Sequence, residues 1–159
     1  MPLRTLLACC ALVLVAPSLA AQQRVQPRDS MIVRGDRTIY HQHAPSEQEW
    51  GYAQAIVVGN TIYVSGTVSG GANNSEEVAN IYRRIERTLR VNGFTMQDVV
   101  KETVFTKDIQ ALANANAARK QAYGGHNPAA TWVQITRLLA DGANVEIEVT
   151  AVRAAAPRQ

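Results

Sequence analysis

Residues 127–152, NPAATWVQITRLLADGANVEIEVTAV, contain the pattern that decides the fold. Residues 131–138 and 145–152 are two runs with β-branched residues at short intervals. In the second run Glu146 and Glu148 alternate with aliphatic residues, and this period of two is typical of a strand with one buried face. The sequence therefore predicts two consecutive strands at the C-terminal end of the folded part.

The helix with the clearest pattern precedes these strands. Four aliphatic residues recur at helical spacing between residues 78 and 89, and charged residues occupy the other positions. Asn74 is predicted to cap the helix with Glu77 as its capping-box partner, and Asn92-Gly93 is predicted to end it. The other predicted elements are a strand at residues 37–41, a hairpin of residues 53–58 and 61–65 joined by Gly59-Asn60, a strand at residues 98–106 and an alanine-rich helix at residues 109–123.

The number of helices is too small to cover both faces of the predicted sheet. About six strands and two helices give an α+β domain in which one sheet face stays uncovered. A sheet must bury its apolar face on another element, and the chain offers no further one. We therefore expect a homo-oligomer.

The N-terminus has the composition of a secretory signal peptide. Arg4 precedes an apolar run over residues 6–15, and Ser18-Leu19-Ala20 offers small residues for cleavage after Ala20. We expect residues 1–20 to be the signal peptide, residues 21–36 a flexible lead-in, residues 37–153 one domain and residues 154–159 a tail. This division predicts a periplasmic or secreted protein that does not bind the membrane once the signal is removed.

Charge and cysteine content exclude several classes of site. Both cysteines, Cys9 and Cys10, lie in the predicted signal peptide, so the mature chain has no disulfide and no cysteine ligand for a metal. The net charge of +3 is dispersed, which argues against a nucleic-acid partner. His41 and His43 could share a metal, but no third ligand stands at a fixed spacing, so no metal and no cofactor are predicted.

Residue pattern alone leaves the role of the acidic strand face open. Glu146 and Glu148 share one face, which is typical of a solvated or ion-paired strand. Ala130 and Trp132 share a face of the preceding strand, and a tryptophan there is more typical of a core or an interface than of a ligand platform.

Several segments, in order along the chain, resemble the reactive-intermediate deaminase family (RidA, the YjgF-like proteins). Residues 98–108, DVVKETVFTKD, are similar to a strand motif of that family. Residues 51–55, GYAQA, and 58–66, VGNTIYVSG, are similar to its tyrosine segment and its hairpin. Residues 127–152 resemble its C-terminal signature, and Asn116 falls where the family has an asparagine.

The resemblance implies a chorismate-mutase-like fold assembled as a homotrimer, with small-molecule clefts between subunits. Typical members hydrolyse enamines and imines such as 2-aminoacrylate to a 2-oxo acid and ammonia. Carried over, Glu146 would be the catalytic acid and base and Tyr52 a wall of the cleft. The remaining substrate-binding or supporting positions would be Ser65, Gly66, Asn116, Ala130 and Trp132.

The chain departs from the family pattern at two of these positions. Ala130 stands where the family has an arginine that binds the substrate carboxylate, and Trp132 stands where many members have a small residue or cysteine. An alanine cannot bind a carboxylate, so we expect little activity on 2-aminoacrylate. Two functions remain: hydrolysis of another imine or enamine, or non-catalytic binding of a small ligand or a protein by the trimer.

Overall fold

The computed structural model of the protein describes residues 29–154. The predicted signal peptide, residues 21–28 of the predicted lead-in and residues 155–159 lie outside the described residues. In chain order the elements are β1 (Ser30–Arg34), β2 (Arg37–His41), α1 (Ala44–Glu49), β3 (Ala55–Val58), β4 (Thr61–Val68), α2 (Asn74–Val91), a one-turn 3₁₀ helix (Met96–Asp98), β5 (Val99–Thr106), α3 (Ile109–Asn114), α4 (Asn116–Tyr123), β6 (Ala129–Gln134) and β7 (Val145–Val152).

One mixed sheet organises the described residues, with strand order β1-β2-β3-β4-β7-β5-β6. All neighbouring strands are antiparallel except β5 and β6, which are parallel and are joined through α3 and α4. The core lies between one face of the sheet and the helices α2, α3 and α4, whose buried residues form one cluster with the inward residues of the strands. The α+β prediction, a mixed sheet with helices on one face, is confirmed.

The opposite face, here called the open face, is the one that carries Tyr63, Phe105, Glu146 and Glu148. Phe105 is the register partner of Glu146, and Tyr63 is the partner of Thr150, so these side chains point to the same side. Tyr63 is 54% exposed in the single chain. The helices that belong to the core cluster all pack on the other side of the sheet. The uncovered face predicted from the helix count is therefore present.

The α2 helix begins one residue earlier than its predicted cap. Asn73, not Asn74, is the cap, and its side chain accepts a hydrogen bond from the Glu76 backbone amide at 3.0 Å. Glu77 makes no capping box. Its buried carboxylate instead accepts from the backbone amides of Asn144 and Val145 and ties α2 to the start of β7.

The N-terminal boundary also differs from the prediction. The lead-in prediction is wrong for Ser30–Arg34, because these residues form β1 and pair in register with β2. Gly35 has a positive φ of 61° in the turn between the two strands. Its three apolar residues, 31–33, are consecutive and do not alternate with polar ones, so the pattern is too short to indicate a strand without its partner.

Two further elements differ in extent. The predicted helix at residues 109–123 is divided at Ala115 into α3 and α4. The strand predicted at residues 131–138 ends at Gln134, because its parallel partner β5 ends at Thr106, where the Ile135 backbone amide makes a last hydrogen bond of 2.8 Å. Residues 135–144 form a loop that leads into β7.

No helix in residues 29–154 combines the length and apolar character that crossing a membrane requires.

Candidate active site

A cavity of about 500 Å³ opens where the open face of the sheet meets the loop before β7. Its walls come from the segment after α1, from β4, from loop 135–144 and from β7. The rim is apolar, since Trp50 and Leu139 are 65% and 71% exposed. The lining residues are Trp50, Tyr52, Ser65, Gly66, Val68, Leu139, Ala140 and Glu146.

Glu146 is the acidic group of this cavity. Burial, and after it the charge of Glu148, raises the pKa of Glu146 above its ordinary value of 4.5. No hydrogen bond from another group in residues 29–154 offsets these two effects on its pKa. A carboxyl group in this state can accept a proton and return it at a pH closer to neutral than an ordinary glutamate can.

The other buried carboxylates of the domain are saturated with donors. Glu47, Glu77 and Glu102 are at most 3% exposed, and each accepts at least three hydrogen bonds. Such groups are occupied by donors of the protein and hold the fold together. Unlike these three carboxylates, the Glu146 carboxyl group is available for chemistry.

A bulge in β4 gives the Glu146 carboxyl group its place. The register between β4 and β7 shifts between Val64 and Thr67, so Ser65 and Gly66 together face one residue of β7. A Cβ atom on Gly66 would lie 1.8 Å from Oε1 of Glu146. Glycine at this position therefore leaves the space that the carboxyl group fills.

The segment that carries Tyr52 is fixed by a buried carboxylate. Oε1 of Glu47 accepts from the backbone amides of Gln42 and His43, and Oε2 accepts from the Gln54 amide and contacts Nδ1 of His41 at 2.9 Å. Burial, and next the charge of Glu47, raises the pKa of Tyr52, so its hydroxyl group stays protonated and can donate a hydrogen bond.

No cation lines the cavity in the described part of the chain. Arg84 contacts the cavity wall without lining the cavity, since its guanidinium donates to the backbone carbonyl of Val68. The cavity therefore offers a carboxyl group, a phenol and apolar surface. It lacks the fork of donors that a substrate carboxylate requires.

The remaining three predicted positions lie on the other face of the sheet. Ala130 and Trp132 are register partners of Glu102 and Val104, whose side chains point toward the helices. Trp132 Nε1 lies 3.4 Å from Oε1 of Glu102. Trp132 and Glu146 therefore lie on opposite faces of the sheet within one chain, and Trp132 as a wall of the Glu146 cleft stays a prediction about neighbouring subunits.

Asn116 belongs to the same side as Ala130 and Trp132. It begins α4, and its Oδ1 atom is buried with no hydrogen-bond partner in the described residues. The structure thus divides the predicted site residues into two groups. Tyr52, Ser65, Gly66 and Glu146 surround the cavity on the open face, and Asn116, Ala130 and Trp132 lie on the helix-covered side near the β6 edge.

The two histidines have different surroundings. His41 contacts Glu47, whereas His43 is exposed at the start of α1. Among residues 29–154 there is no group of three or more His, Cys, Asp or Glu side chains placed to hold a metal ion.

Sequence reasoning missed the apolar rim and one ion pair. Trp50 and Leu139 lie in irregular segments, where no periodicity marks them as neighbours of β4 and β7. The pair of Glu102 and Arg119 carried a usable signal, since Glu102 falls on the inward face of β5 by strand alternation. An acidic residue at such a position requires a partner.

The comparisons with known proteins agree with this architecture. A family model described as Endoribonuclease L-PSP matches residues 41–153. The 2-iminobutanoate/2-iminopropanoate deaminase of Escherichia coli (strain K12) is 32% identical over 127 residues, which cover 74% of this chain and 98% of that protein. A RutC family protein of Haemophilus influenzae is 33% identical over 113 residues, covering 64% of this chain and 86% of that protein.

Solved structures give the same result. Rv2704 from Mycobacterium tuberculosis, described as a member of the YjgF/YER057c/UK114 family, superimposes with a TM-score of 0.66 at 30% identity and covers 79% of this chain and 99% of its own. Escherichia coli TdcF with bound serine gives a TM-score of 0.61 at 26% identity, covering 65% of this chain and 88% of its own. The sequence motifs, the mixed sheet with its helices on one face, and these matches together establish that the chain belongs to the RidA/YjgF family.

Proposed function

We propose that this chain hydrolyses a small imine or enamine that lacks a carboxylate, giving a carbonyl compound and ammonia, in clefts between the subunits of a homotrimer. The observation that carries the proposal is the Glu146 carboxyl group, half-buried in the cavity with a raised pKa and beside Tyr52. The similarity to the 2-iminobutanoate/2-iminopropanoate deaminase of Escherichia coli supports the reaction class.

In the proposed reaction, Glu146 transfers a proton from oxygen to nitrogen in each of two steps. The carboxylate takes a proton from water as the water oxygen bonds to the imine carbon, and the carboxylic acid then returns that proton to the nitrogen. In the carbinolamine, Glu146 then takes the hydroxyl proton and gives it to the amino nitrogen, so that the carbon–nitrogen bond breaks and ammonia leaves as the carbonyl forms. Tyr52 is placed at the same cavity to donate a hydrogen bond to the nitrogen or oxygen of the substrate.

The apolar lining supports an uncharged substrate. Trp50, Val68 and Leu139 contribute hydrocarbon and aromatic surface, and the described lining contains no Lys or Arg. RNA would require cations along its phosphate backbone. The cavity presents a carboxyl group instead, so we do not propose a ribonuclease activity.

The placement of the two residue groups supports a site between subunits. Tyr52 and Glu146 lie on the open face, whereas Ala130 and Trp132 lie on the helix-covered side near the β6 edge, so one chain cannot bring them together. A second chain that packs its β6 edge against the open face would do so. The same packing would cover Tyr63 and Val133, which are 54% and 39% exposed in the single chain.

The test of the proposed function is a substrate comparison with purified protein. We expect ammonia release from imines of uncharged aldehydes and ketones, and turnover of 2-aminoacrylate at least about 30-fold below that of an arginine-containing relative, because a lost charged contact costs on the order of 2–5 kcal/mol. A serine dehydratase coupled to lactate dehydrogenase generates 2-aminoacrylate and reports pyruvate. Rapid turnover of 2-aminoacrylate would contradict the proposed substrate class, and no turnover of any imine would contradict the reaction.

The assembly and the export signal are tested on the same preparation. We expect multi-angle light scattering to give three times the chain mass at micromolar protein concentration, because the open face needs a cover.

We also propose export, so mass spectrometry of protein from the producing cells should place the N-terminus at Ala21. A monomer mass would remove the interface cleft, and an intact N-terminus at Met1 would remove the export proposal.

Gly66→Ala tests whether the position of the Glu146 carboxyl group matters. The added methyl group would occupy the position of Oε1, and the flexible end of Glu146 can turn away at little cost to the fold. We expect imine hydrolysis to fall by about 100-fold, as a misplaced catalytic group commonly costs, with an unchanged assembly mass. The control is Gly70→Ala, since a Cβ atom there meets nothing within 4 Å. Equal activity of the two variants would contradict the role of the bulge.

A further inference from the structure

A buried ion pair lies directly beside Ala130. The register of β5 and β6 makes Glu102 the partner of Ala130, so both side chains point to the helix-covered side. Nε of Arg119 lies 2.5 Å from Oε1 of Glu102, and the side chains of the pair are 13% and 0% exposed, respectively. A group that approaches over Ala130 therefore meets a guanidinium that already has a carboxylate partner.

The Glu102 carboxylate is held by four donors. Oε2 accepts from the hydroxyl groups of Tyr82 at 2.9 Å and Tyr123 at 2.7 Å. Oε1 accepts from Arg119, and Trp132 Nε1 lies 3.4 Å from it. Burial, and next the Glu102 charge, raises the pKa of both tyrosines, so they remain neutral donors. The donors fix the carboxylate opposite Arg119.

Arg119 is also held by aromatic rings. Its guanidinium carbon lies 5.1 Å from the ring centre of Tyr123 and 5.8 Å from that of Trp132. Burial acts to lower the pKa of Arg119, but the hydrogen bond to Glu102 and the charge of Glu102 together outweigh it, so that the pKa is raised. The arginine therefore stays charged and in place, and its charge is compensated inside the protein.

We propose that Glu102 is a specificity-determining residue: by neutralising Arg119 it makes the Ala130 side of the cleft accept uncharged polar groups and reject carboxylates. This proposal rests on the subunit-interface cleft proposed above and names the group that selects its substrate class. A carboxylate placed over Ala130 would face the Glu102 charge and would have to compete with it for Arg119. An amide, hydroxyl or imine group would not face that repulsion.

The variant Glu102→Gln removes the charge and keeps the shape. With its amide oxygen toward Arg119, glutamine retains the acceptor for Arg119 and Trp132, and its NH₂ group can donate to the oxygens of Tyr82 and Tyr123. Arg119 would then stay in place with an uncompensated positive charge. The variant thus makes the existing Arg119 available to bind a carboxylate.

The probes are pyruvate and pyruvamide, which differ in carrying a carboxylate or an uncharged amide. Calorimetric titration of the assembled full-length protein should show that pyruvamide binds the wild type more tightly than pyruvate does. In Glu102→Gln the affinity for pyruvate should rise by about tenfold or more, the size of one charge-assisted hydrogen bond, and that for pyruvamide should stay within about threefold. Glu86→Gln, an exposed change of the same charge on α2, should leave both affinities unchanged.

The second variant adds Arg119→Gln to Glu102→Gln and should abolish the gain for pyruvate. An unchanged pyruvate affinity in a folded Glu102→Gln protein would overturn the proposal, as would a gain that persists without Arg119. If Glu102→Gln fails to fold, tighter binding of pyruvate than of pyruvamide by the wild type overturns it, and the reverse supports it. The probes do not turn over, so a failure of imine hydrolysis would remove the proposed function and leave this result standing.

Discussion

Replacing Glu146 with glutamine is expected to lower imine hydrolysis by about 10²–10⁴-fold, the usual contribution of a positioned acid or base. The amide keeps the shape of the side chain beside Gly66 and cannot accept or return the proton. The measurement is ammonia release from the best uncharged imine, with ligand binding followed in parallel. Loss of turnover with unchanged affinity identifies a catalytic group.

The matched control is Glu148→Gln. Glu148 is the next residue on the same face of β7, is exposed, and does not line the cavity. Removing its charge should change the rate by severalfold at most. If Glu146→Gln and Glu148→Gln are equally active, the Glu146 carboxyl group does not transfer the proton, and the proposed mechanism is wrong.

The variant Glu146→Gln should be more stable than the wild type at neutral pH. The folded-state pKa of Glu146 is raised, so the folded protein binds this proton more tightly than the unfolded chain. The resulting stabilisation is present below the ordinary value of 4.5 and is lost as the pH rises through the folded-state pKa. Glutamine does not ionise, so the melting temperature of Glu146→Gln should exceed that of the wild type at neutral pH, and the difference should shrink in acid. A lower melting temperature of Glu146→Gln than of the wild type at neutral pH would contradict a raised pKa of Glu146 as the cause.

Replacing the buried Glu47 with alanine should produce a large loss of stability. Its carboxylate accepts from the amides of Gln42, His43 and Gln54 and contacts His41. Without it, buried donors lose their acceptor, and removing one partner of a buried charged network costs about 3–5 kcal/mol. Urea unfolding with an unchanged m-value should report this loss.

Glu49→Ala is the control for this change. Glu49 ends the same short helix and is exposed, and surface changes of this kind stay within about 0.5 kcal/mol. Because Glu47 also fixes the segment that carries Tyr52, we expect the cavity to lose its binding of uncharged ligands before the protein unfolds. Equal stability of the two alanine variants would show that the amides find another acceptor.

The sequence was sufficient to predict most of the strands and four of the residues that surround the cavity. Period-two alternation predicted β7 with its bounds and placed Glu146 and Glu148 on one face, because a strand's side chains alternate whatever its neighbours are. The Gly59-Asn60 pair predicted the β3–β4 hairpin, since a tight turn is a local property. The family motifs added Tyr52, Ser65 and Gly66, which the structure gathers around one cavity.

Features that depend on a partner strand were predicted poorly. β1 exists because β2 offers it a ladder, and β6 stops at Gln134 because β5 stops at Thr106. The division of residues 109–123 at Ala115 was likewise not visible, since alanine itself favours a helix. The length and pairing of these elements are set by neighbours that lie far away in the chain.

The sequence by itself thus determined the family, the order of the main elements, and the alternation that exposes Glu146 on one face of β7. Only the tertiary structure decided which side chains of different strands come into contact. It placed Trp132 beside Glu102 and Arg119 rather than beside Glu146, and it placed Gly66 against the Glu146 carboxyl group. The physical reason is that a strand's pattern fixes which residues share a face, whereas strand order and register fix which residues of different strands come into contact.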